Sequence, residues 1–447
     1  MSSPTSLHRD YAWPRACAAI HPIWSLLAIL ALTSLTACSD VQSAQDQAVP
    51  VNTPAVVLSA PTSIAETTPA HATAAISVVP TSPEPSSTVA SLATTAPTFN
   101  GESEVPGLGT STSQEAEKHY KLGLKLYQQD KKYDAALAEL TKAIEIDHHF
   151  AFAIYFRGAI YAKQMDHEAA IGEYSVAINL RSNEARFYNN RAYSYVKLKE
   201  YVKALNDYAT ALQLNPNYGA VYANRGELYE RVGEYQLAIA DYTRALDLQP
   251  TDSHLYYARG NAHNSLLEYQ LAIADYDQAI KLRSDFAFAL LNRGNAHQSV
   301  HNYDLAMQDF NQALKVEPGF INAYANRAWL YNELKEYDRA IEDASKAIEL
   351  GPEFYFGYEA RGSTYLGKLD FDHAHADLMK AVELAPEAAS VHYHLAFYYD
   401  SQGDMEKELA EFKEALRLSP KGALYQDTEN QIAWMESHMR LTPTPTP

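Results

Sequence analysis

The sequence predicts an all-α fold, a right-handed α-solenoid of helix-turn-helix repeats, behind a disordered N-terminal tether. Three observations carry this prediction. An arginine returns every 34 residues, at Arg157, Arg191, Arg225, Arg259, Arg293, Arg327 and Arg361. Around each arginine, aromatic and small residues fall at helical spacing in two segments joined by a turn. Upstream, residues 39–113 turn to Ser, Thr, Ala and Pro with no Lys or Arg. A fixed period in a 447-residue chain means growth by stacking, so one elongated module is expected rather than several globular cores.

The chain opens with Arg9 and Arg15 ahead of one apolar run, 23–37, too short to span a membrane comfortably and laid out as a signal peptide. The run closes on Leu35-Thr-Ala-Cys38, which resembles a bacterial lipobox. That resemblance implies removal of 1–37, lipidation of Cys38 and a membrane partner reached through the acyl chains. It places the protein in the bacterial cell envelope, facing outside the cytoplasm. Cys17 would leave with the leader, so neither a disulfide framework nor a Cys-rich metal site is expected. The segment 38–113 cannot bury enough apolar surface to offset its ordering entropy and reads as a disordered linker. A flexible coil of that length spans roughly 45–50 Å.

Nine units fill 114–422, starting near 117, 151, 185, 219, 253, 287, 321, 355 and 389. With Arg225 at repeat position 7, the fourth unit has Tyr222 at 4, Gly226 at 8, Tyr229 at 11, Tyr235 at 17, Ala238 at 20, Tyr242 at 24, Ala245 at 27 and Pro250 at 32. Positions 4, 7, 8 and 11 share one face of a first helix, and 20, 23, 24 and 27 one face of a second. Small residues at 8, 20 and 27 let backbones approach, and proline at 32 ends the second helix. The first unit carries one extra residue and no arginine, the second has Ser182 at position 32, and the ninth puts Glu408 at position 20. A capping helix that includes Ile432 and Trp434 is expected over 423–440, covering the last unit, then a disordered tail at 441–447.

This pattern resembles the tetratricopeptide repeat over roughly 300 residues. The resemblance implies a curved scaffold whose first helices line a groove for a protein or peptide partner.

An arginine on the packed face demands a counter-charge. Position 23 is acidic in all nine units, among them Asp207, Asp241, Asp275, Asp309, Asp343 and Asp377. A repeated arginine–carboxylate pair is therefore expected, with the acid drawn from the same unit or from the preceding one. On the other face of the first helix, Asn190, Asn224, Asn292 and Asn326 occupy position 6. Asn261, Asn295, Tyr193 and Trp329 occupy position 9, and Tyr257 position 5. The amides resemble the asparagine ladder with which some members of the family hold an extended peptide. Others clamp a terminal carboxylate with a lysine and an asparagine in one unit, an asparagine in the next and two basic residues in the third, and no three successive units here carry that set.

A net charge of −19 argues against a nucleic-acid partner. No nucleophile elbow, phosphate-cradling loop or paired-carboxylate constellation stands outside the repeat grammar, so neither an enzyme nor a cofactor is expected. His373, His375, Asp372 and Asp377 do not share one helix side, and His263 and His297 at position 11 read as packing residues. The chain is thus expected to be a non-enzymatic, lipid-anchored scaffold. Two alternatives are an assembly lipoprotein resembling the tetratricopeptide pilotins, and a binder of glycan or cell-wall fragments.

Overall fold

The structure is a computed structural model, and it describes residues 113–128, 131–420 and 425–439. The leader, Cys38, nearly all of the linker and the C-terminal tail lie outside the described residues. What is described belongs to one compact unit, Ala74–Pro447.

Among the described residues there are 19 helices, nine consecutive antiparallel pairs and one more at the C-terminal end. The first pair is Gln114–Gln128 with Tyr133–Ile146, and the ninth is Ala389–Gln402 with Met405–Leu418. Between them, every first helix has 13 residues and every second helix 14, as in Gly219–Arg231 with Tyr235–Leu248. The small positions explain the close pairing. Ala136, Ala170, Ala204, Ala238, Ala272, Ala306, Ala340 and Ala374 at position 20 are completely buried. So are Tyr174, Tyr208, Tyr242 and Tyr276 at position 24 to within 1%. Each such ring contributes about 1.5–3 kcal/mol of burial. A methyl added at Gly294 would sit 2.6 Å from the Phe310 ring, so position 8 is small because the facing aromatic leaves no room.

The helix stop differs from the sequence expectation. Ser182 and Ser284 replace proline at position 32, yet both second helices end as the others do. At each end the preceding residue goes extended while its N–H still donates to the last-turn alanine: Arg181 to Ala177 and Arg283 to Ala279, each at 2.9 Å. Backbone geometry makes the stop, and proline only suits it. The turn inside each pair also repeats, with one left-handed residue: Met165, Lys199, Gly233, Leu267, His301, Lys335, Leu369 and Gly403 at position 15, and Lys131 in the longer first unit.

Successive first helices touch one another, while successive second helices make no comparable contact. The array therefore bends with the first helices on its inner side. The last helix, Tyr425–Met439, lies against the ninth pair. Met435, fully buried against Ala396 and Phe412, is its anchor; Ile432 packs beside it, and Trp434 stays half exposed.

Candidate functional site

The arginine ladder resolves into pairs within each unit. Arg191, Arg225, Arg259, Arg293, Arg327 and Arg361 each donate two hydrogen bonds, of 2.6–2.9 Å, to Asp207, Asp241, Asp275, Asp309, Asp343 and Asp377 respectively. Arg157 reaches Glu173 through Nη2 alone, at 2.8 and 3.0 Å, and its Nε has no partner. The planar fork matches the carboxylate, which a lysine could not do.

The preceding unit also takes part, through a polar side chain at its position 25. Ser175 accepts from Arg191 at 3.0 Å, Thr243 from Arg259 at 3.0 Å, Asp277 from Arg293 at 2.6 Å, Asn311 from Arg327 at 2.6 Å and Ser345 from Arg361 at 3.1 Å. Around Arg191, Arg225 and Arg327, tyrosines at positions 4 and 11 flank the guanidinium, with Tyr222 and Tyr229 both 5.8 Å from that of Arg225. The arginine side chains keep about a fifth of their surface exposed, so the pair sits at the edge of the core rather than within it. Arg191, Arg259, Arg293, Arg327 and Arg361 thus tie two helices of their own unit to the unit before, whereas for Arg225 the corresponding position is Ala209.

At both ends of the array the device changes. Position 7 becomes Leu122 and Leu395, and a histidine one turn earlier meets the position-23 acid: His119 with Glu139, and His392 with Glu411 at 2.6 Å. The Nε2 of His392 donates to the Pro386 carbonyl oxygen at 3.0 Å, and Glu411 holds the imidazole above the ordinary histidine range.

The inner-face residues sort into two groups. In the first, the amides are spent on the scaffold itself. Asn190 is buried and donates to the Tyr155 hydroxyl at 2.8 Å, and Asn224 donates to Asn189 Oδ1 at 3.1 Å. Asn292 donates to the Tyr257 hydroxyl at 3.2 Å and to Asn261 Oδ1 at 2.9 Å, and Asn261 also accepts from Tyr276. The rule is one of register. An asparagine at position 6 reaches back to position 5, or 9, of the preceding first helix. Tyr193 is likewise occupied, its ring 4.9 Å from the Lys197 ammonium.

The second group spans units six to eight. Asn326 is 1% exposed, yet neither atom of its amide has a hydrogen-bond partner. The same holds for Asn295 Oδ1, Trp329 Nε1 and Glu359 Oε2. Glu359, at position 5 of the eighth unit, is completely buried, and its other oxygen meets His394 Nδ1 at 3.0 Å. The Trp329 ring lies 5.0 Å from that of His394 and 6.0 Å from that of Phe356. Sequence reading picked out Asn295, Asn326 and Trp329 but missed Glu359 and His394. The available signal was an acid at position 5, where other units place tyrosine, asparagine or an apolar residue.

Models of the tetratricopeptide repeat match residues 116–148, 185–218, 219–252, 253–286, 287–320, 321–354 and 359–423, in register with the helix pairs. A solved tetratricopeptide repeat protein from Parabacteroides merdae is 22% identical, covers 56% of this chain and 98% of its own, and superposes with a TM-score of 0.52, which shows a shared fold. YrrB, described as a TPR protein with an unusual peptide-binding site, is 22% identical over 42% of this chain and 97% of its own, at a TM-score of 0.30. Pseudomonas aeruginosa pilF is 18% identical over 48% and 97%, at 0.39. The last two scores are too low to bear on this chain. No curated protein matches it significantly. The matched segments together exceed half of the sequence and coincide with the observed helix pairs, and the chain belongs to the tetratricopeptide repeat family.

Proposed function

We propose that this protein is a non-enzymatic scaffold, held to a bacterial envelope membrane by lipid on Cys38, that binds a protein or peptide on the inner face of its first helices. The observation that carries the reading is the division of labour between the faces. Positions 7 and 23 are consumed by ion pairs that hold the units together, and the inner face of units six to eight keeps polar groups that the scaffold does not use. Burying such groups without partners costs about 1–3 kcal/mol each, which favours a surface completed by something else. The anchor rests on the Leu35–Cys38 tetrapeptide behind its apolar run.

The test is site-specific photo-crosslinking in envelopes containing the full chain. A crosslinker at Ser363, at position 9 of the eighth first helix, captures a protein, whereas one at Lys380 on the second helix captures none. Equal capture at both, or none at Ser363, overturns the groove reading. Retention on peptidoglycan without a protein partner would support the glycan alternative instead. Labelling with a palmitate analogue, lost in Cys38→Ala, checks the anchor.

A further inference from the structure

The partnering rule of the asparagine ladder fails at one place, and the failure has an identifiable cause. Asn190, Asn224 and Asn292 find Tyr155, Asn189 and Tyr257 at position 5 of the preceding unit. For Asn326 that position is Leu291, which has no polar atom to offer. Asn295, the counterpart of Asn261, stands one unit back in the same register as the Asn261–Asn292 pair, and its Oδ1 is also unpartnered. Both amide atoms of a buried asparagine are therefore left free beside the Trp329 indole N–H, one turn along the same helix.

Glu359 adds a charge to this cluster. In the six bidentate aspartate pairs the buried acid is given an arginine. Glu359 is fully buried, and among the described residues its ion-pair contact is His394 alone. The same Nδ1 of His394 lies 2.8 Å from the Ser390 carbonyl oxygen, which only accepts, so Nδ1 carries a proton whether or not the ring is charged. That one proton is shared between the Ser390 carbonyl and Glu359 Oε1, and Glu359 Oε2 is left with no partner. A fully buried carboxyl oxygen without a partner is costly, and the group that would complete it best is a cationic donor.

Resting on the peptide-groove reading above, we infer that units six to eight form a subsite for an extended peptide segment bearing a basic side chain. The arginine or lysine head meets Glu359 at Oε2, and the Asn326 amide with Asn295 Oδ1 reads the neighbouring main chain, one donor and one acceptor per peptide unit. Entry costs the single His394–Glu359 hydrogen bond and a rotation of the His394 ring. A cationic head on Oε2 adds a charge-assisted bond where the carboxyl now has none.

A randomised heptapeptide library selected on the purified full chain tests this. The expected result is enrichment of arginine or lysine at one position. Glu359→Gln, which keeps the size and the His394 contact, removes that preference and weakens the selected peptide about tenfold or more. Leu291→Tyr, which gives Asn326 the internal partner that Tyr257 gives Asn292, weakens the same peptide while leaving its basic preference intact. Peptides recovered without a basic preference, or a preference unchanged in Glu359→Gln, overturn the inference and leave the groove reading standing. Recovery of no peptide at all overturns both.

Discussion

At the scale of the residue, an arginine inside a repeat is stabilising only through what surrounds it. Arg259 holds Asp275 with both prongs of its fork, reaches Thr243 in the unit before, and rests 5.7 Å from the Tyr256 ring. Because the arginine side chain is 21% exposed and the aspartate 7%, the pair lies between the surface and buried regimes. Arg259→Leu is expected to lower unfolding free energy by about 2 kcal/mol, since it strands the carboxylate of Asp275. Urea or thermal melts check this, and a variant as stable as the parent would show that the pair contributes nothing. Both partners were legible in the sequence, because Coulomb cost alone requires an acid wherever a cation recurs on a packed face. The choice between the acid of the same unit and that of the preceding one was not, since both lie within reach of a first helix packed between two second helices.

At the scale of the element, the short turn inside each pair imposes a left-handed residue at position 15 whatever its identity. Gly233 meets this at a φ of +81° with nothing within 4 Å of an added Cβ, whereas Leu267 takes φ +61° with a branched side chain. Gly233→Ala is therefore expected to cost about 1 kcal/mol through backbone strain alone. Leu267→Gly, relieving strain against the extra unfolded entropy of glycine, is expected to stabilise by roughly 0.5 kcal/mol. Opposite shifts in the urea midpoint of the two variants check the account; shifts of the same sign would refute it. Sequence reading located the turns but not this conformation, because lysine, methionine, leucine and histidine at position 15 carry no glycine signal.

At the scale of the whole molecule, the array is homogeneous in its middle and altered at its last unit. Glu408 occupies the position that alanine fills elsewhere, and burial, with Asp400 nearby, pushes its carboxyl up to about 7 from an ordinary 4.5. Between those values the folded state holds a proton that the unfolded chain releases, so stability falls as pH rises through that window and stays low above it. His392, whose folded value is raised by Glu411, contributes stability that is full below the ordinary histidine range and is lost as pH rises through the raised value. Both groups weaken the C-terminal end toward alkaline pH. Glu408→Gln is expected to raise the melting temperature at pH 8.5 and to leave it unchanged at pH 4. An equal gain at both pH values would assign the effect to packing instead.

By itself the sequence determined the repeat, its nine units, the pairing of helices and the identity of the residues forced to be small, because helical period and side-chain volume act locally and are written in each 34-residue unit. It also marked the inner-face asparagines. Only the tertiary structure decided which of them are spent. Asn190, Asn224 and Asn292 are tied back to the unit before, and Asn326 is not. That outcome depends on position 5 of a different helix, 35 residues upstream, which becomes a neighbour only when the units stack.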